Sequence, residues 1–266
     1  MKSVSVIMPL HNPNKDLLKR IEKSIKSQGY KGKIILIKVN KGLGLADSLN
    51  YGIKKAKTEI VVSLHQDCIP ATDKWLKKLV EPIEKGAVAS VSKVELPYEL
   101  WNKFDLVAKV MSAKEQKIET PLLDEKGCAY RKKALIKAGL FDNKNFRTAG
   151  EDFDMWIKLK KLGEIAYPDC KIIHNHIHAA RNRIKKEIQL SNGFGALVRI
   201  YGREMPKFWL GIIKAIPILG WLFFLANYPY IKVGVSSLLW IPLSLLNNLL
   251  YSYGFWKGFI NKRQTI

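Results

Sequence analysis

Glu59-Ile60-Val61-Val62-Ser63-Leu64-His65-Gln66-Asp67-Cys68-Ile69-Pro70 is the stretch on which the fold assignment depends. Its first half is an apolar, β-branched run of strand length, typical of a strand covered on both faces inside a mostly parallel sheet. Open α/β sheets bind ligands at the carboxyl ends of their strands, so Asp67 is expected on the ligand-binding rim. A carboxylate there can hold Mg²⁺ or Mn²⁺ together with phosphates. The alternative is that Asp67 caps a turn before the next helix.

Strand-like and helix-like segments alternate around this stretch. Strands are expected at about 3–8, 33–39, 59–64 and 87–94, and helices at about 15–28, 45–56 and 73–85. The order β-α-β-α-β predicts an α/β fold, with a doubly wound, mostly parallel sheet and helices on both faces. From residue 96 to 123 the pattern weakens, and a helix at 99–112 is left open. The segment 127–130 is expected to lead into a helix that ends near 138–139. A further helix is expected to open at 150–154, and a last short strand lies within 166–173.

Charge and cysteine content narrow the function classes. Lys and Arg number 45 against 23 Asp and Glu, a formal net charge of +22. That balance indicates an anionic partner such as nucleic acid, a nucleotide or an acidic membrane, although scattered lysines are also typical of ordinary solvated surface. The three cysteines are widely spaced without a CxxC pair, which argues against a disulfide framework or zinc knuckle and favours a reduced, cytoplasmic setting.

The last third of the chain has a different composition. A basic amphipathic helix is expected at 181–201, followed by two uncharged apolar runs at 215–231 and 233–256. The second run is long enough to span a bilayer, and a tight hairpin turning near 227–232 is the leading interpretation. The alternatives are a re-entrant or interfacial first helix, or a pair of amphipathic helices lying in the interface or buried in a dimer. The predicted domains are therefore 1–180, a basic linker at 181–207, and the apolar segment 208–266.

Basic residues flank the two apolar runs on their outer sides. The flanking cations are Arg199, Arg203, Lys207, Lys214, Lys257, Lys262 and Arg263, whereas Lys232 is the single cation between the runs. By the positive-inside rule both ends of the hairpin are expected on the cytoplasmic side. The prediction is a protein of the cell membrane whose large N-terminal domain faces the cytoplasm.

Five segments, in this order and spacing, carry a family resemblance. They are Ser5-Val6-Ile7-Met8-Pro9-Leu10-His11-Asn12; Asn40-Lys41-Gly42-Leu43-Gly44-Leu45-Ala46 with Asn50-Tyr51-Gly52; His65-Gln66-Asp67; Gly127-Cys128-Ala129-Tyr130-Arg131-Lys132; and Gly139-Leu140-Phe141-Asp142 followed by Glu151-Asp152. Residues 3 to about 180 thereby resemble a family 2 glycosyltransferase with the GT-A fold. The His65-Gln66-Asp67 segment stands where that family has its DXD-type metal motif.

The resemblance implies an activity and a set of site residues. Such enzymes pass a sugar, of hexosyl type (EC 2.4), from a nucleotide-diphosphate donor to an acceptor hydroxyl with inversion. The resemblance implies Asp152 as general base with Glu151 as the second choice, and Asp67 and His176 as ligands of Mg²⁺ or Mn²⁺. It also implies a donor-binding set made of Pro9, His11, Asn12, Asn40, Lys41, Gly42, Asn50, Gln66, Asp67 and Arg131. With the apolar tail, the expected acceptor is lipid-linked or another membrane-proximal glycan, for a role in cell-envelope glycan synthesis.

The sequence also departs from the family pattern. The acidic pair that usually follows the second strand and holds the nucleobase is missing, because Val39-Asn40 runs straight into the glycine turn. His65 stands where an acid is usual. These departures keep a second function as the alternative, namely a non-catalytic protein that retains the GT-A fold and binds nucleotides or polyanions. No nucleic-acid partner is expected, and homo-oligomerisation is left open.

The three alternating histidines His174, His176 and His178 form a separate candidate metal site. On an extended segment they share one face, and imidazole is a good zinc ligand. Yet the segment 174–178 itself contains no cysteine or carboxylate. A zinc site is therefore the weaker hypothesis, and the simpler interpretation is that these histidines form the polar end of a strand.

Overall fold

The computed structural model describes residues 1–40, 42–146 and 149–261, so the predicted donor residue Lys41 and the flanking cations Lys262 and Arg263 lie outside the described residues. Ten strands are present in this part of the chain: β1 (Val4–Pro9), β2 (Ile34–Val39), β3 (Ile60–Leu64), β4 (Cys68–Pro70), β5 (Ala89–Val91), β6 (Lys93–Glu95), β7 (Ile118–Glu119), β8 (Gly127–Arg131), β9 (Ile165–Ala166) and β10 (Lys171–His174).

Twelve α-helices are present in the same ranges: α1 (Lys15–Lys26), α2 (Leu45–Lys55), α3 (Trp75–Glu84), α4 (Tyr98–Trp101), α5 (Leu106–Met111), α6 (Lys132–Lys137), α7 (Glu151–Lys160), α8 (Ala180–Tyr201), α9 (Phe208–Ala215), α10 (Leu219–Ala226), α11 (Tyr230–Val233) and α12 (Trp240–Ile260). Short 3₁₀ turns at Gly202–Glu204 and Gly234–Leu239 join the last of them. The chain forms two compact units: Met1–Pro97 with Ile118–Asn143 and Asp152–His176, and Tyr98–Lys117 with Lys144–Glu151 and Ile177–Ile266. The predicted division into 1–180, 181–207 and 208–266 stays a prediction.

The first unit is built on a six-stranded sheet in the order β2-β1-β3-β8-β5-β9. β1 pairs in parallel with both β2 and β3, so the carboxyl ends of these three strands share one edge. β8 runs antiparallel to β3 and β5, which makes the sheet mixed. The β8 segment had been interpreted as a lead-in to a helix, but Gly127–Tyr130 is buried inside the sheet. Its antiparallel direction brings the start of β8 to the edge where β3 ends.

Helices cover both faces of this sheet, as predicted. Alternate residues of β1 show why, because Val6 belongs to the core shared with α1 and α3, whereas Ile7 belongs to the core shared with α2 and α6. Side chains of successive strand residues point to opposite faces. A methyl group added at Gly52 would overlap the Ile7 side chain, so this glycine lets α2 pack directly on β1. The α/β layer prediction is confirmed.

A second, four-stranded sheet has the order β4-β10-β6-β7. β10 pairs antiparallel with β4, with His174 opposite Cys68, and parallel with β6. This sheet carries the chain that follows Asp67 alongside the histidine-containing segment. The weakly patterned stretch before residue 123 forms the short helices α4 and α5 and the strand β7 instead of one helix at 99–112.

The apolar tail belongs to the second unit. Tyr230–Ile260 is long and apolar enough, by length and composition, to cross a membrane. The first apolar run is not one straight helix, because α9 and α10 meet at an angle of 111°. Ile216-Pro217-Ile218 lies at this bend; Pro217 lacks a backbone N–H donor, and Ile218 has a left-handed φ of 70°. A pair of helices bent in this way is either a broken span or a re-entrant loop, so the hairpin and the re-entrant alternative both stay predictions.

α12 packs closely along α8 in this unit. Gly195 of α8 and Gly258 of α12 lie so close to the facing helix that an added methyl group would overlap the carbonyl oxygens of Phe255 and Asn192. Small residues at a helix interface permit this close approach. The described part of the apolar tail is therefore anchored along a helix that also carries charged side chains such as Arg183 and Glu187.

Candidate active site

A cavity of about 340 Å³ opens at the edge of the sheet where β1 and β3 end. Its walls come from the turn after β1, the start of α2 and the segment after β3: Pro9, Leu10, His11, Leu43, Gly44, Leu45, Ser48, His65, Gln66 and Asp67. Ligand cavities of this size fall in the usual range for small molecules, and the carboxyl edge of an α/β sheet is the usual place for them. The cavity therefore holds Pro9, His11, Gln66 and Asp67 of the predicted donor-binding set.

Gln66 closes one wall by binding the backbone of His11. The backbone N–H of His11 donates to Gln66 Oε1 at 2.7 Å, and Gln66 Nε2 donates to the His11 carbonyl at 2.7 Å. The amide side chain thus acts as a two-way clamp between the end of β3 and the turn after β1. Its main contribution is to hold the shape of the cavity.

Asp67 lies beside two imidazoles. His174 Nε2 is 3.4 Å and His176 Nδ1 is 3.6 Å from Asp67 Oδ2, and the two rings stack with centroids 5.9 Å apart. The register of β10 against β4 explains the first contact, because His174 lies opposite Cys68. The backbone N–H of Asn175 then donates to the Asp67 carbonyl at 2.7 Å, which keeps the chain alongside and brings His176 to the same side.

The electrostatics favour an ionised Asp67. Burial raises its pKa, but the hydrogen bond and charge of His174, with His65 and His176, lower the pKa well below its usual range. A carboxylate flanked by imidazoles is a ligand set for a divalent cation. One ligand atom each from Asp67, Cys68 and His174 lies within 4.8 Å of the others, so a single ion fits among them.

Cys68 is a poor ligand for a hard cation in this group. Burial and the charge of Asp67 raise the pKa of the Cys68 thiol well above its usual value, and Sγ lies 3.5 Å from Asp67 Oδ1 as a weak donor. The thiolate is the metal-binding form of cysteine. Asp67, His174 and His176 are therefore the residues that fit Mn²⁺ or Mg²⁺, and the structure adds His174 to the predicted pair. His178 packs edge-on against Phe104 in the second unit.

His65 replaces an acid of the metal motif with a neutral ring. Burial lowers its pKa to about 4. Its backbone N–H donates to the Lys126 carbonyl at 3.4 Å, while Nε2 is buried without a hydrogen-bond partner among the described residues. A buried polar nitrogen without a partner is costly, which makes this atom a natural contact for a polar group of a bound ligand.

A second ionisable group forms at the start of β8. Lys126 Nζ binds Asp124 Oδ2 at 2.7 Å, and the Lys126 backbone N–H donates to Asp124 Oδ1 at 3.0 Å. Burial, and next the negative charge of Asp124, raise the pKa of Asp152 to about 6, although the Phe153 N–H donates to Asp152 Oδ1 at 2.7 Å. A carboxyl group with a raised pKa is suited to accept a proton near neutral pH.

The neighbouring acids of α7 have other environments. Asp154 is buried and pairs with Lys158 at 2.6 Å, one helical turn along, as expected of a residue that supports the helix. Glu151 is 6% exposed and belongs to the second compact unit, whereas Asp152 belongs to the first. Asp152 is accordingly the carboxylate grouped with Asp124 and Lys126.

Two predicted donor-binding residues have structural contacts instead. Asn50 Nδ2 donates to the Phe141 carbonyl at 2.8 Å, and Asn50 Oδ1 accepts from the Phe141 N–H at 3.0 Å. Arg131 lies opposite Ile60, at the end of β3 remote from Asp67, and donates to the Ile83 carbonyl at 2.7 Å. Their donor-binding roles stay predictions, because the structure shows only that Arg131 lies at the opposite end of β3 from Asp67 and that Asn50 of α2 holds the loop after α6.

The remaining predicted donor residues flank the cavity without lining it. Asn12 is exposed in the turn after β1 with φ 44°, and Asn40 is exposed after β2. Gly42 adopts φ 64°, a left-handed conformation that favours glycine and turns the chain into α2. The wall of the cavity on this side is formed instead by the residues that follow Gly42, which are Leu43, Gly44, Leu45 and Ser48.

Sequence reasoning missed Asp124 and Lys126, and it considered His174 only in the zinc hypothesis. An acid and a lysine two residues apart, just before Gly127, were the available signal. This pair could not be placed at the site while Gly127–Tyr130 was interpreted as the approach to a helix. Only the direction of strand β8 shows that the residues just before it lie at the edge of the sheet.

The fold is that of GT-A glycosyltransferases. The chain superposes on "Mannosyltransferase PcManGT from Pyrobaculum calidifontis in complex with GDP-Man and Mn2+" with a TM-score of 0.60 at 14% identity, covering 94% of this chain and 86% of that one. It superposes on "Crystal structure of GalNAc-T7 with UDP, GalNAc and Mn2+" with a TM-score of 0.56 at 15% identity, covering 81% of this chain and 51% of that one. The chain thus spans about half of the GalNAc-T7 structure. At these identities the likeness establishes the fold.

The sequence also matches a known family over part of its length. Residues 12–139 match the family described as "Glycosyl transferase family 2", which confirms the resemblance carried by the motifs. Comparison with curated proteins found no match. The match, the GT-A fold and the Asp67 cluster support a glycosyltransferase with a divalent-metal cofactor.

Proposed function

We propose that this chain is an inverting, hexosyl-type family 2 glycosyltransferase that uses a nucleoside-diphosphate sugar, with Asp152 as general base and Asp67, His174 and His176 as metal ligands. The observation that carries the proposal is the grouping of Asp67 with His174 Nε2 at 3.4 Å and His176 Nδ1 at 3.6 Å beside a nucleotide-sized cavity. The two structures of similar fold hold GDP-Man with Mn²⁺ and UDP with GalNAc and Mn²⁺. A divalent ion here would neutralise the charge that develops on the departing diphosphate.

The residues have distinct tasks in this proposal. Asp152 accepts the acceptor's hydroxyl proton while that oxygen bonds to the anomeric carbon and the bond to the diphosphate oxygen breaks. Because the acceptor oxygen attacks from the face opposite the leaving group, the configuration inverts. Neutral His65 offers Nε2 to a hydroxyl of the donor, in the position where the family usually has an acid. Gln66 keeps the cavity wall closed through its two bonds to His11.

The donor's base is expected to be held differently from the family pattern. Among the described residues that line the cavity, Asp67 is the single acidic one, and it belongs to the metal group. Leu43, Leu45 and the backbone around Gly44 supply an apolar wall against which a base can pack. Shape and backbone contacts are therefore the proposed basis of nucleotide recognition, in place of the missing acidic pair.

We further propose that the tail attaches the enzyme to the cytoplasmic face of the cell membrane without crossing it, so that the acceptor is lipid-linked or membrane-proximal. The connection between the apolar runs is bound to the segment 98–117: Tyr228 Oη donates to the Val110 carbonyl at 2.9 Å, and Lys232 Nζ to the Gln116 carbonyl at 3.2 Å. Both ends of that segment continue directly into the sheet unit. Placing the turn beyond a bilayer would require those twenty residues, seven of which are charged, to cross it twice.

An activity assay tests the catalytic proposal. Purified protein is offered a panel of nucleoside-diphosphate sugars with Mn²⁺ or Mg²⁺, and nucleotide release and sugar transfer to membrane-lipid extract are both measured. Metal-dependent release that disappears in Asp67→Ala and falls in Asp152→Asn supports it. Tight nucleotide binding with no turnover under any donor and metal would instead favour the alternative of a non-catalytic nucleotide-binding protein with the same fold.

A further inference from the structure

A second cavity, of about 410 Å³, lies within the unit that contains the apolar tail. Two segments form it, the stretch that follows α5 and the connection between α10 and α11. Its lining residues are Ala113, Lys114, Lys117, Ala226, Asn227, Tyr228, Pro229 and Lys232. We call the three cations Lys114, Lys117 and Lys232 the lysine cluster. They are separated by up to 118 residues in sequence, so the tertiary structure alone assembles them.

Specific contacts hold these two segments together. Lys232 Nζ donates to the Gln116 carbonyl at 3.2 Å, and Tyr228 Oη donates to the Val110 carbonyl at 2.9 Å. The Tyr228 ring also stacks on Trp240 with centroids 4.6 Å apart. The cavity is therefore a built feature of the unit and not a gap between two loose loops.

The charge of this cavity is positive. The partial burial of the Lys114 ammonium, and next the charge of Lys117, lower the pKa of Lys114. Glu115, between them in sequence, is engaged by the Arg183 guanidinium, which helps to lower the pKa of Glu115 to about 2. Like charges brought together at a cavity are stabilised when an anion binds between them.

The surface beside the cavity is apolar and exposed. Ile231 is 99% exposed, Val235 86% and Leu238 65%. A fully exposed isoleucine next to a lysine has no advantage in water, but it matches a bilayer surface, where phosphates lie above hydrocarbon. A nucleic acid or free nucleotide would use the cations and leave these apolar side chains unexplained.

We propose that the lysine cluster binds the phosphate of a membrane lipid headgroup while the neighbouring apolar side chains enter the acyl region. The inference rests on the proposed membrane attachment and deepens it by naming the headgroup chemistry. A surface that holds anionic lipid at this point also fixes which side of the tail faces the bilayer.

Vesicle sedimentation with the full chain tests the inference. Binding is measured to phosphatidylcholine vesicles alone and to vesicles with added phosphatidylglycerol, for the wild type and for Lys114→Gln/Lys117→Gln/Lys232→Gln. Each lysine near an anionic surface contributes about fivefold to binding, so the triple variant is expected to lose more than about tenfold of the affinity gained from the anionic lipid. Binding to neutral vesicles is expected to persist.

A matched control removes the same charge elsewhere. Lys19, Lys23 and Lys26 are exposed on α1, and Lys19→Gln/Lys23→Gln/Lys26→Gln should lose much less affinity. Equal losses in the two triple variants would overturn the inference, because they would reduce it to the net charge of +22. The variant with three arginines in place of the cluster should restore binding, and a lack of rescue would count against the site.

Two further measurements are needed. One distinguishes a lipid phosphate from free phosphate, and the other distinguishes failure of the lysine cluster from failure of the proposed membrane attachment. Inorganic phosphate at a concentration that leaves ionic strength matched should compete weakly; complete competition would make this a site for free phosphate and overturn the lipid assignment. Neutral-vesicle binding without any gain from anionic lipid would overturn the inference while membrane attachment stands. Failure to bind any vesicle would overturn both, and nucleotide-sugar turnover is scored separately from either.

Discussion

His174 Nε2 lies 3.4 Å from Asp67 Oδ2, although 107 positions separate the two residues. The antiparallel pairing of β10 with β4 produces this contact, because it sets His174 opposite Cys68, the residue after Asp67. The carboxylate at the sheet edge is thereby joined to imidazole nitrogens in a group that fits a divalent ion. The predictions about metal and base follow from this arrangement.

Removing the carboxylate should remove metal binding. We expect Asp67→Ala to abolish measurable Mn²⁺ binding in titration calorimetry, and His174→Ala to weaken it by at least about tenfold, the scale on which loss of a metal's close partners acts. Cys68→Ala is the matched control and should bind Mn²⁺ normally, since the thiol stays protonated. Loss of binding in Cys68→Ala with retention in His174→Ala would reverse the assignment of ligands.

The ligand set should favour Mn²⁺ over Mg²⁺. Mg²⁺ prefers oxygen ligands in a strict octahedron, whereas imidazole nitrogen is a better ligand for the transition metals. We expect the Mn²⁺ concentration that gives half-maximal nucleotide release to be at least about tenfold lower than that of Mg²⁺. The difference should shrink in His174→Ala/His176→Ala. Equal dependence on both ions in the wild type would argue that the histidines are not ligands.

Asp152 should dominate the base chemistry. We expect Asp152→Asn to lower kcat by at least about a hundredfold, the low end of general-base contributions, with little change in donor affinity. The base works deprotonated and burial with Asp124 raises its pKa to about 6, so wild-type kcat should fall as pH drops through about 6. Glu151→Gln is the control. Full activity in Asp152→Asn with loss in Glu151→Gln would transfer the role to Glu151.

Asp124 should act as a positioning residue through its charge. Its negative charge raises the pKa of Asp152, and Lys126 opposes this. We expect Asp124→Asn to move the acidic limb of the kcat profile to lower pH, because the raising charge is gone and the lowering one remains. Asp16, an exposed acid on α1, provides the control through Asp16→Asn. An unchanged limb, with kcat reduced at every pH, would point to a purely structural role.

The close packing of α8 and α12 should be intolerant of a methyl group. Gly195→Ala places a carbon against the Phe255 carbonyl, so we expect a loss of at least about 1–3 kcal/mol in the free energy of unfolding, as for overpacked cores. Thermal unfolding in detergent or lipid measures it. Leu249→Ala, at a position on α12 that is 51% exposed, should change the midpoint little. A midpoint unchanged by Gly195→Ala would mean that the helices separate easily.

How much the sequence determines is clearest from particular residues. The β-branched run at 60–62 and the alternation of elements predicted the layered α/β fold, because apolar period and helix spacing are local properties. The same local signal placed Asp67 at a strand's carboxyl end and Asp152 at a helix start. The contacts of Asn50 and Arg131 could not be predicted in this way, since their hydrogen-bond partners Phe141 and Ile83 lie far away in sequence.

The local sequence pattern therefore determined most of the helices and strands, the edge of the sheet, and the positions of Asp67 and Asp152 at the ends of their elements. Strand direction and register, which depend on pairings between distant segments, decided the rest. The antiparallel β8 put Asp124 and Lys126 at the edge and took Arg131 away from it, and the β4–β10 register selected His174. The lysine cluster arises in the same way, because it requires two segments more than a hundred residues apart in sequence to meet. Such contacts leave no periodic trace in the sequence, and only the tertiary structure specifies them.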